Sequence, residues 1–104
     1  MQVFDLRAME AQPYEARDRN VFYETQEFKA RVIELAPGGA IPSCEMAGHV
    51  IFYVLSGEAE VTVNGQTSNV AQGQCLISPP ATFSMHSRKG VRMMGVQVAA
   101  GPRS

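Results

Sequence analysis

The fold is decided by residues 50–70, which read VIFYVLSGEAEVTVNGQTSNV. Residues 50–55 and 59–63 are rich in β-branched and aromatic side chains, which favours β-strands, and Ser56-Gly57 between them is a turn signal. Asn64-Gly65 then separates residues 60–63 from residues 67–70. A type I′ hairpin turn needs positive φ at both central residues, and Asn-Gly supplies it. The stretch therefore predicts two strands separated by a turn at Ser56-Gly57, the second of which continues into a β-hairpin.

Further strands are predicted on both sides of this stretch. Runs of the same kind occur at residues 21–23, 30–35, 75–77 and 91–98. Turn signals such as Pro37-Gly38-Gly39, Gln72-Gly73 and Pro79-Pro80 stand between the runs, so that one recurs about every ten residues. We expect at most one turn of helix within residues 6–15, because Pro13 interrupts the helical pattern, and residues 2–6 are a candidate extra strand. The pattern predicts an all-β sandwich or barrel.

Length and composition exclude several classes of protein. A chain of 104 residues is long enough for one domain, and its net charge of −1 gives no basic imbalance for binding nucleic acid. No apolar run approaches the ~18 residues that span a bilayer, so no membrane association is expected. Only two cysteines are present, which predicts free thiols in the cytoplasm rather than a disulfide framework.

Glycine and proline spacing resembles that of a small single-domain cupin. The resemblance rests on Pro37-Gly38-Gly39-Ala40-Ile41-Pro42, on residues 52–61 (FYVLSGEAEV), and on Gly73 and Pro79. It implies a double-stranded β-helix, or jelly-roll barrel, formed by a single domain over residues 1–104. The first cupin motif would span about residues 38–57 and the second about residues 73–86.

The resemblance also implies where a metal would be held, because cupins bind a divalent ion through two histidines and a glutamate of the first motif and one histidine of the second. When Gly38 and Gly57 are matched to the motif glycines, the first three positions fall on Cys44, Met46 and Val50. Counting from Gly73 and Pro79 places Ser84 at the last position. None of the family's four ligands is kept, and we predict no stoichiometric metal and no cofactor.

Alternation along the strands predicts the pocket. Cys44, Met46, Val50 and Phe52 share one parity and are expected to face the barrel interior, whereas Glu45 and Tyr53 face away. Ser84 is expected opposite them. The predicted ligand pocket is therefore lined by Cys44, Met46, Val50, Phe52, Ser84 and, if it points inward, His86.

Each of these residues also has a purely structural interpretation. Cys44 is either a thiolate or a small buried apolar residue, and Cys75 is expected in the core. Met46 is either a soft ligand or a filler of irregular space. His86 is either the single imidazole of the cavity or an exposed residue in the turn after its strand.

Three functions remain open. The first is a protein that binds or senses a small apolar or aromatic molecule, with the usual metal ligands lost. The second is a metal-dependent oxygenase or isomerase in which Cys44, Met46 and His86 hold a transition metal. The third is a structural homodimer without a ligand. A homodimer is expected in any case, because Ile51, Tyr53 and Leu55 form an apolar outer face on the central strand.

Overall fold

The structure is a computed structural model that describes residues 1–100, and it is almost entirely β. A 3-10 helix over Tyr14–Asn20 precedes eight strands: β1 (Val21–Glu24), β2 (Phe28–Leu35), β3 (Ala40–Met46), β4 (Val50–Val63), β5 (Gln66–Ala71), β6 (Cys75–Ser78), β7 (Ala81–His86) and β8 (Val91–Val98). All strand pairs are antiparallel. The predicted all-β fold is confirmed. Residues 101–104 of the predicted domain lie outside the described residues.

The strands form two sheets that share β4 and curl around one interior. The first sheet contains β1, β2, β8, β6 and the N-terminal half of β4. The second contains β3, β7, β5 and the C-terminal half of β4. The buried apolar side chains between them form one core, which includes Val54, Val61, Met85 and Met93. The chain therefore closes into a barrel of the jelly-roll type.

Strand β4 bends at Ser56–Gly57 as it passes from one sheet to the other. Its buried residues change parity there, from Val54 before the bend to Ala59 and Val61 after it. The pairing of β4 with β8 shifts register at the same point, as at a β-bulge. The expected turn at Ser56-Gly57 is therefore a bend within one strand of 14 residues, and it keeps both halves of that strand facing the core.

The hairpin predicted at Asn64-Gly65 is confirmed. Asn64 has φ 47° and Gly65 has φ 84°, as a type I′ turn requires. Strands β4 and β5 pair from Val63↔Gln66 back to Glu58↔Ala71. The Asn64 side chain also accepts a hydrogen bond from the Thr82 amide (3.1 Å), which ties the turn to β7.

The N-terminal segment differs from the prediction. Residues 2–6 form no strand, and the helical turn lies at Tyr14–Asn20, after Pro13 rather than before it. The guanidinium of Arg92 donates hydrogen bonds to the carbonyl oxygens of Leu6 and Met9, and Arg7 donates one to the carbonyl of Leu55. This segment therefore lies across the outer face of the first sheet. The hydrogen bonds that hold it there are accepted by backbone carbonyls, which every residue type has, so no sequence pattern indicates the contact. In the described part of the chain, no helix has the length and apolar character needed to cross a membrane.

Gly57 is the position where the fold is most sensitive to a small change. It has φ 78°, and a Cβ there would collide with the Gly90 carbonyl oxygen. Gly65 has φ 84° but nothing lies within 4 Å of the corresponding position. We expect Gly57→Ala to lower the free energy of unfolding by about 3 kcal/mol or more, and Gly65→Ala by about 1 kcal/mol, the conformational cost alone. Urea denaturation of the two variants measures these free energies. Equal losses of stability would show that the close contact between Gly57 and Gly90 has no effect of its own.

Candidate functional site

A cavity of about 280 Å³ lies between the two sheets and is the candidate functional site. Its wall on the first sheet consists of side chains that are neighbours across β2, β8 and β4. One row is Arg31–Gly95–Phe52, and the next is Lys29–Gln97–Val50. Cys44, Met46 and Phe83 line the opposite wall, on β3 and β7. Four of the six predicted pocket residues are thus brought together: Cys44, Met46, Val50 and Phe52.

The bottom of the cavity is aromatic. Phe52 of the first sheet and Phe83 of the second meet with ring centroids 5.2 Å apart and planes inclined by 55°. Gly95 lies between Arg31 and Phe52 across the strands and contributes no side chain, and a Cβ there would come within 2.9 Å of Ile33 and 3.4 Å of Phe52. The space above Phe52 therefore exists because residue 95 is glycine.

Sulfur atoms form part of the opposite wall. Burial raises the pKa of the Cys44 thiol above its ordinary value, while the nearby Arg17 and Tyr14 act in the opposite direction. The thiol is consequently protonated at neutral pH, which makes it a weak nucleophile and a poor metal ligand. The Met46 thioether accepts a hydrogen bond from the Gln97 amide at 3.7 Å. Both residues fit the structural interpretation, as half-buried wall residues packed against the core.

Arg31 gives the cavity a charged wall that the sequence analysis missed. Alternation along β2 is ambiguous, because Ala30 and Val32 are apolar on one face while Ile33 and Leu35 share the face of Arg31. Ala30 and Val32 are buried on the sheet face that carries Arg92 and the N-terminal segment, and Arg31 faces the interior. The parity that Arg31 shares with Ile33 and Leu35 was the available signal.

The 3-10 helix borders the mouth of the cavity, where Tyr14, Arg17, Asp18 and Asn20 are among the lining residues. The buried Asn20 side chain fixes this segment by two hydrogen bonds with the Gln12 backbone, accepting from its amide (2.7 Å) and donating to its carbonyl (2.9 Å). The Arg17 guanidinium lies 4.2 Å from the Tyr14 ring centroid, over the ring. A charged and aromatic segment therefore partly covers an opening that leads to an apolar bottom.

Ser84 and His86 do not line the cavity, which corrects the inward orientation expected for Ser84 and favours the exposed alternative for His86. In β7 the buried residues are Phe83 and Met85, so Ser84 and His86 face outward. The His86 side chain is half exposed, and its Nδ1 lies 3.8 Å from the Glu60 carboxylate on β4. The count from Gly73 and Pro79 gave a phase that differs by one residue from that of the strand. The apolar alternation Ala81–Phe83–Met85 carries the correct phase.

The expected core position of Cys75 is also wrong, because it lies exposed on the outer face of β6, across from Tyr53. With His86 on the outside, the three residues of the alternative metal site are not brought together. At the family's ligand positions the cavity wall offers a protonated thiol at Cys44, a thioether at Met46 and the apolar Val50, and Ser84 faces outward. Within residues 1–100 no cluster of three His, Cys, Asp or Glu side chains has the geometry to hold a metal ion. This donor set does not fit the divalent ion that the fold implies.

Comparison with known proteins gives one family and many similar structures. The family model of the cupin domain matches residues 31–92, well over half of the chain. A search of curated proteins found no match.

Among solved structures, a conserved Klebsiella pneumoniae protein with a double-stranded β-helix domain shares 23% identity, with a TM-score of 0.80 over 100% of this chain and 94% of its own. KdgF from Halomonas sp. shares 16% identity, with a TM-score of 0.77 over 100% and 96%. A conserved Streptococcus pyogenes protein of unknown function shares 26% identity, with a TM-score of 0.72 over 81% and 73%. At these identities the first two establish the fold alone.

Two side chains on opposite faces of β7 test which face of this strand is buried. Phe83 is buried against Phe52, so Phe83→Ala should lower the free energy of unfolding by about 3 kcal/mol. His86→Ala removes a half-exposed side chain and should change it by less than ~0.5 kcal/mol. Chemical denaturation of both variants distinguishes the two. A large loss for His86→Ala beside a small one for Phe83→Ala would reverse the assignment.

Proposed function

Because this chain belongs to the cupin family, we propose that it uses the barrel interior as cupins do, to hold a small organic molecule, but without a bound metal. The proposal covers binding or sensing of a molecule with an apolar or aromatic body. The observation that carries it is the open space above Phe52, with the protonated Cys44 thiol and the Met46 thioether as its wall.

The size and chemistry of the cavity support this choice. A volume of about 280 Å³ lies at the lower end of the ~300–1,000 Å³ found for small-molecule sites, which suits a ligand with a single ring. Aromatic rings prefer tilted or offset neighbours, and Phe52 and Phe83 already adopt such an arrangement. An aromatic ring of a ligand, placed above Gly95, would extend this tilted arrangement.

The absence of a fitting donor set disfavours the metal-dependent alternative. A metal site of Cys44, Met46 and His86 would require β7 to expose its other face to the interior. That change would bury the His86 imidazole and expose Met85. Binding therefore relies on shape, apolar contact and a few polar groups. Two free cysteines, one of them exposed, accord with the reducing cytoplasm.

Two separate tryptophan substitutions, one inside the cavity and one outside it, test the proposed cavity. The probe is benzyl alcohol, a neutral single-ring molecule, titrated into protein that has been dialysed against EDTA and followed by two-dimensional NMR. We expect shifts at residues around Phe52 and saturable binding. Cys44→Trp places a large side chain in the cavity and should weaken binding about tenfold or more. The control, Glu45→Trp, changes the exposed neighbour of Cys44 on the same strand and should leave the affinity within about twofold.

Two results would contradict this proposal. Absence of saturable binding to the wild-type protein would remove the cavity as a binding site for single-ring molecules. Binding that disappears after EDTA treatment and returns with an added transition metal would favour the metal-dependent alternative.

We also propose a homodimer, formed through the outer face of β4 and β6. Ile51 pairs with Ile77 and Tyr53 with Cys75 on this face. Ile77 is 66% exposed and Tyr53 38% exposed, whereas Leu55, expected in the same surface, is half-buried and its carbonyl accepts from Arg7. The patch thus combines an aliphatic and an aromatic side chain, the composition typical of interface centres.

Light scattering at micromolar concentration tests the dimer. We expect about twice the 11.3 kDa of one chain, and a return to the monomer mass for Ile77→Asp, which puts a charge into the patch. Val3→Asp changes another exposed apolar residue outside the patch and should leave the dimer intact. A monomeric wild-type protein would refute the interface.

A further inference from the structure

Arg31 is the most unusual group in the barrel interior. It projects from the middle of β2 into the cavity, beside Gly95 and in line with Phe52. Its Nη2 donates one hydrogen bond, to the Gln97 side-chain oxygen at 2.9 Å. Its Nε is buried and has no hydrogen-bond partner. A guanidinium carries five N–H donors, and a buried donor that lacks a partner costs free energy. The Nε–H of Arg31 is therefore an unsatisfied donor within the protein, on a side chain that lines the cavity.

The charge of Arg31 is also unpaired. Among residues 1–100, no carboxylate oxygen lies within 4.0 Å of its guanidinium nitrogens. Of the acidic residues around the cavity, Glu34 is paired with Arg92 instead. Asp18, at the mouth, acts on Arg31 only as a more distant charge. Burial lowers the pKa of Arg31, but a guanidinium remains charged at neutral pH.

The neighbours of Arg31 keep its guanidinium in place. Gln97 accepts from Arg31 and donates to the Met46 sulfur, so a chain of contacts runs from β2 through β8 to β3. The positive charges of Lys29 and Arg17 border the same cavity, although Lys29 lies 3.9 Å from the Glu24 carboxylate. The cavity thus has an aromatic bottom and a cationic upper wall.

We propose that the ligand of this cavity is a small carboxylic acid with an apolar or aromatic body, and that Arg31 binds its carboxylate. This inference rests on the proposed function and adds the chemical class of the ligand. A carboxylate matches the planar fork of a guanidinium, can accept from the Nη donors that Gln97 does not use, and supplies the missing counter-charge. The Arg31–Gly95–Phe52 row sets the geometry, because the carboxylate would lie at Arg31 and the ring above Gly95, against Phe52 and Phe83.

Two probes of equal ring size test the inference. Benzoate and benzyl alcohol differ mainly in charge, and each is titrated into the wild-type protein by two-dimensional NMR. We expect benzoate to bind about tenfold or more tightly than benzyl alcohol, since a charge-assisted contact to a partly buried arginine exceeds a neutral one by that order.

Variants of the charged wall assign the preference to Arg31. Arg31→Gln should reduce the ratio of benzoate affinity to benzyl alcohol affinity to about one, while Arg31→Lys, which keeps the charge but loses the fork, should retain part of the preference. Asp18→Asn removes a competing negative charge and should tighten benzoate binding. The control, Arg88→Gln, lies in the exposed turn after β7 and should behave like the wild type.

The outcomes separate this inference from the proposed function. If benzyl alcohol binds and benzoate binds no better, the proposed function stands and the carboxylate assignment is overturned. A benzoate preference that survives Arg31→Gln would also overturn it, because another group would then hold the anion. If neither probe binds, the proposed function fails, and this inference fails with it.

Discussion

The structure depends on the close approach of two backbone segments at Gly57 and Gly90. At this contact β4 bends, and its pairing with β8 shifts register, so that a single strand belongs to both sheets. Without the bend, the strict alternation of a strand would turn Ala59 and Val61 to the outside once Val54 faces the core. The bend restores the inward phase, and the two sheets can then share one interior. The bend requires a positive φ at residue 57. It also leaves no room there for a side chain, because a Cβ would collide with Gly90.

The cavity follows from that arrangement together with a second glycine. Because β2, β8 and the first half of β4 keep continuous register, their inward side chains form straight rows across the sheet. Most rows are filled, as with Ile33, Met93 and Val54, and these close the core. The row that contains Gly95 is the exception, and the missing side chain leaves space next to Phe52. The site is thus a local gap in an otherwise regular wall.

Local patterns in the sequence predicted most of the fold and one wall of the site. The Asn64-Gly65 hairpin and the inward faces of Val50 and Phe52 were correct because turn chemistry and alternation act over a few residues. Ser84 was expected on the inner face because of its spacing to Gly73 and Pro79, whereas the alternation of Phe83 and Met85 places both Ser84 and His86 on the outer face. Arg31 was missed for a different reason. Strand β2 is covered on both faces, and the segment covering its outer face is held by hydrogen bonds to carbonyls, which leave no mark in the sequence.

Arg31 provides the positive charge in the interior of this barrel. A metal in a cupin barrel supplies positive charge to a substrate, and its ligands must be deprotonated or neutral nitrogen and oxygen donors. Here the positions that would hold the ion are apolar or sulfur-containing, while a fixed positive charge enters from the neighbouring strand on a side chain that remains charged at neutral pH. A guanidinium orients an anion by its planar donors. Under the proposed function, Arg31 therefore supplies from β2 the positive charge that the metal supplies in a metal-binding cupin.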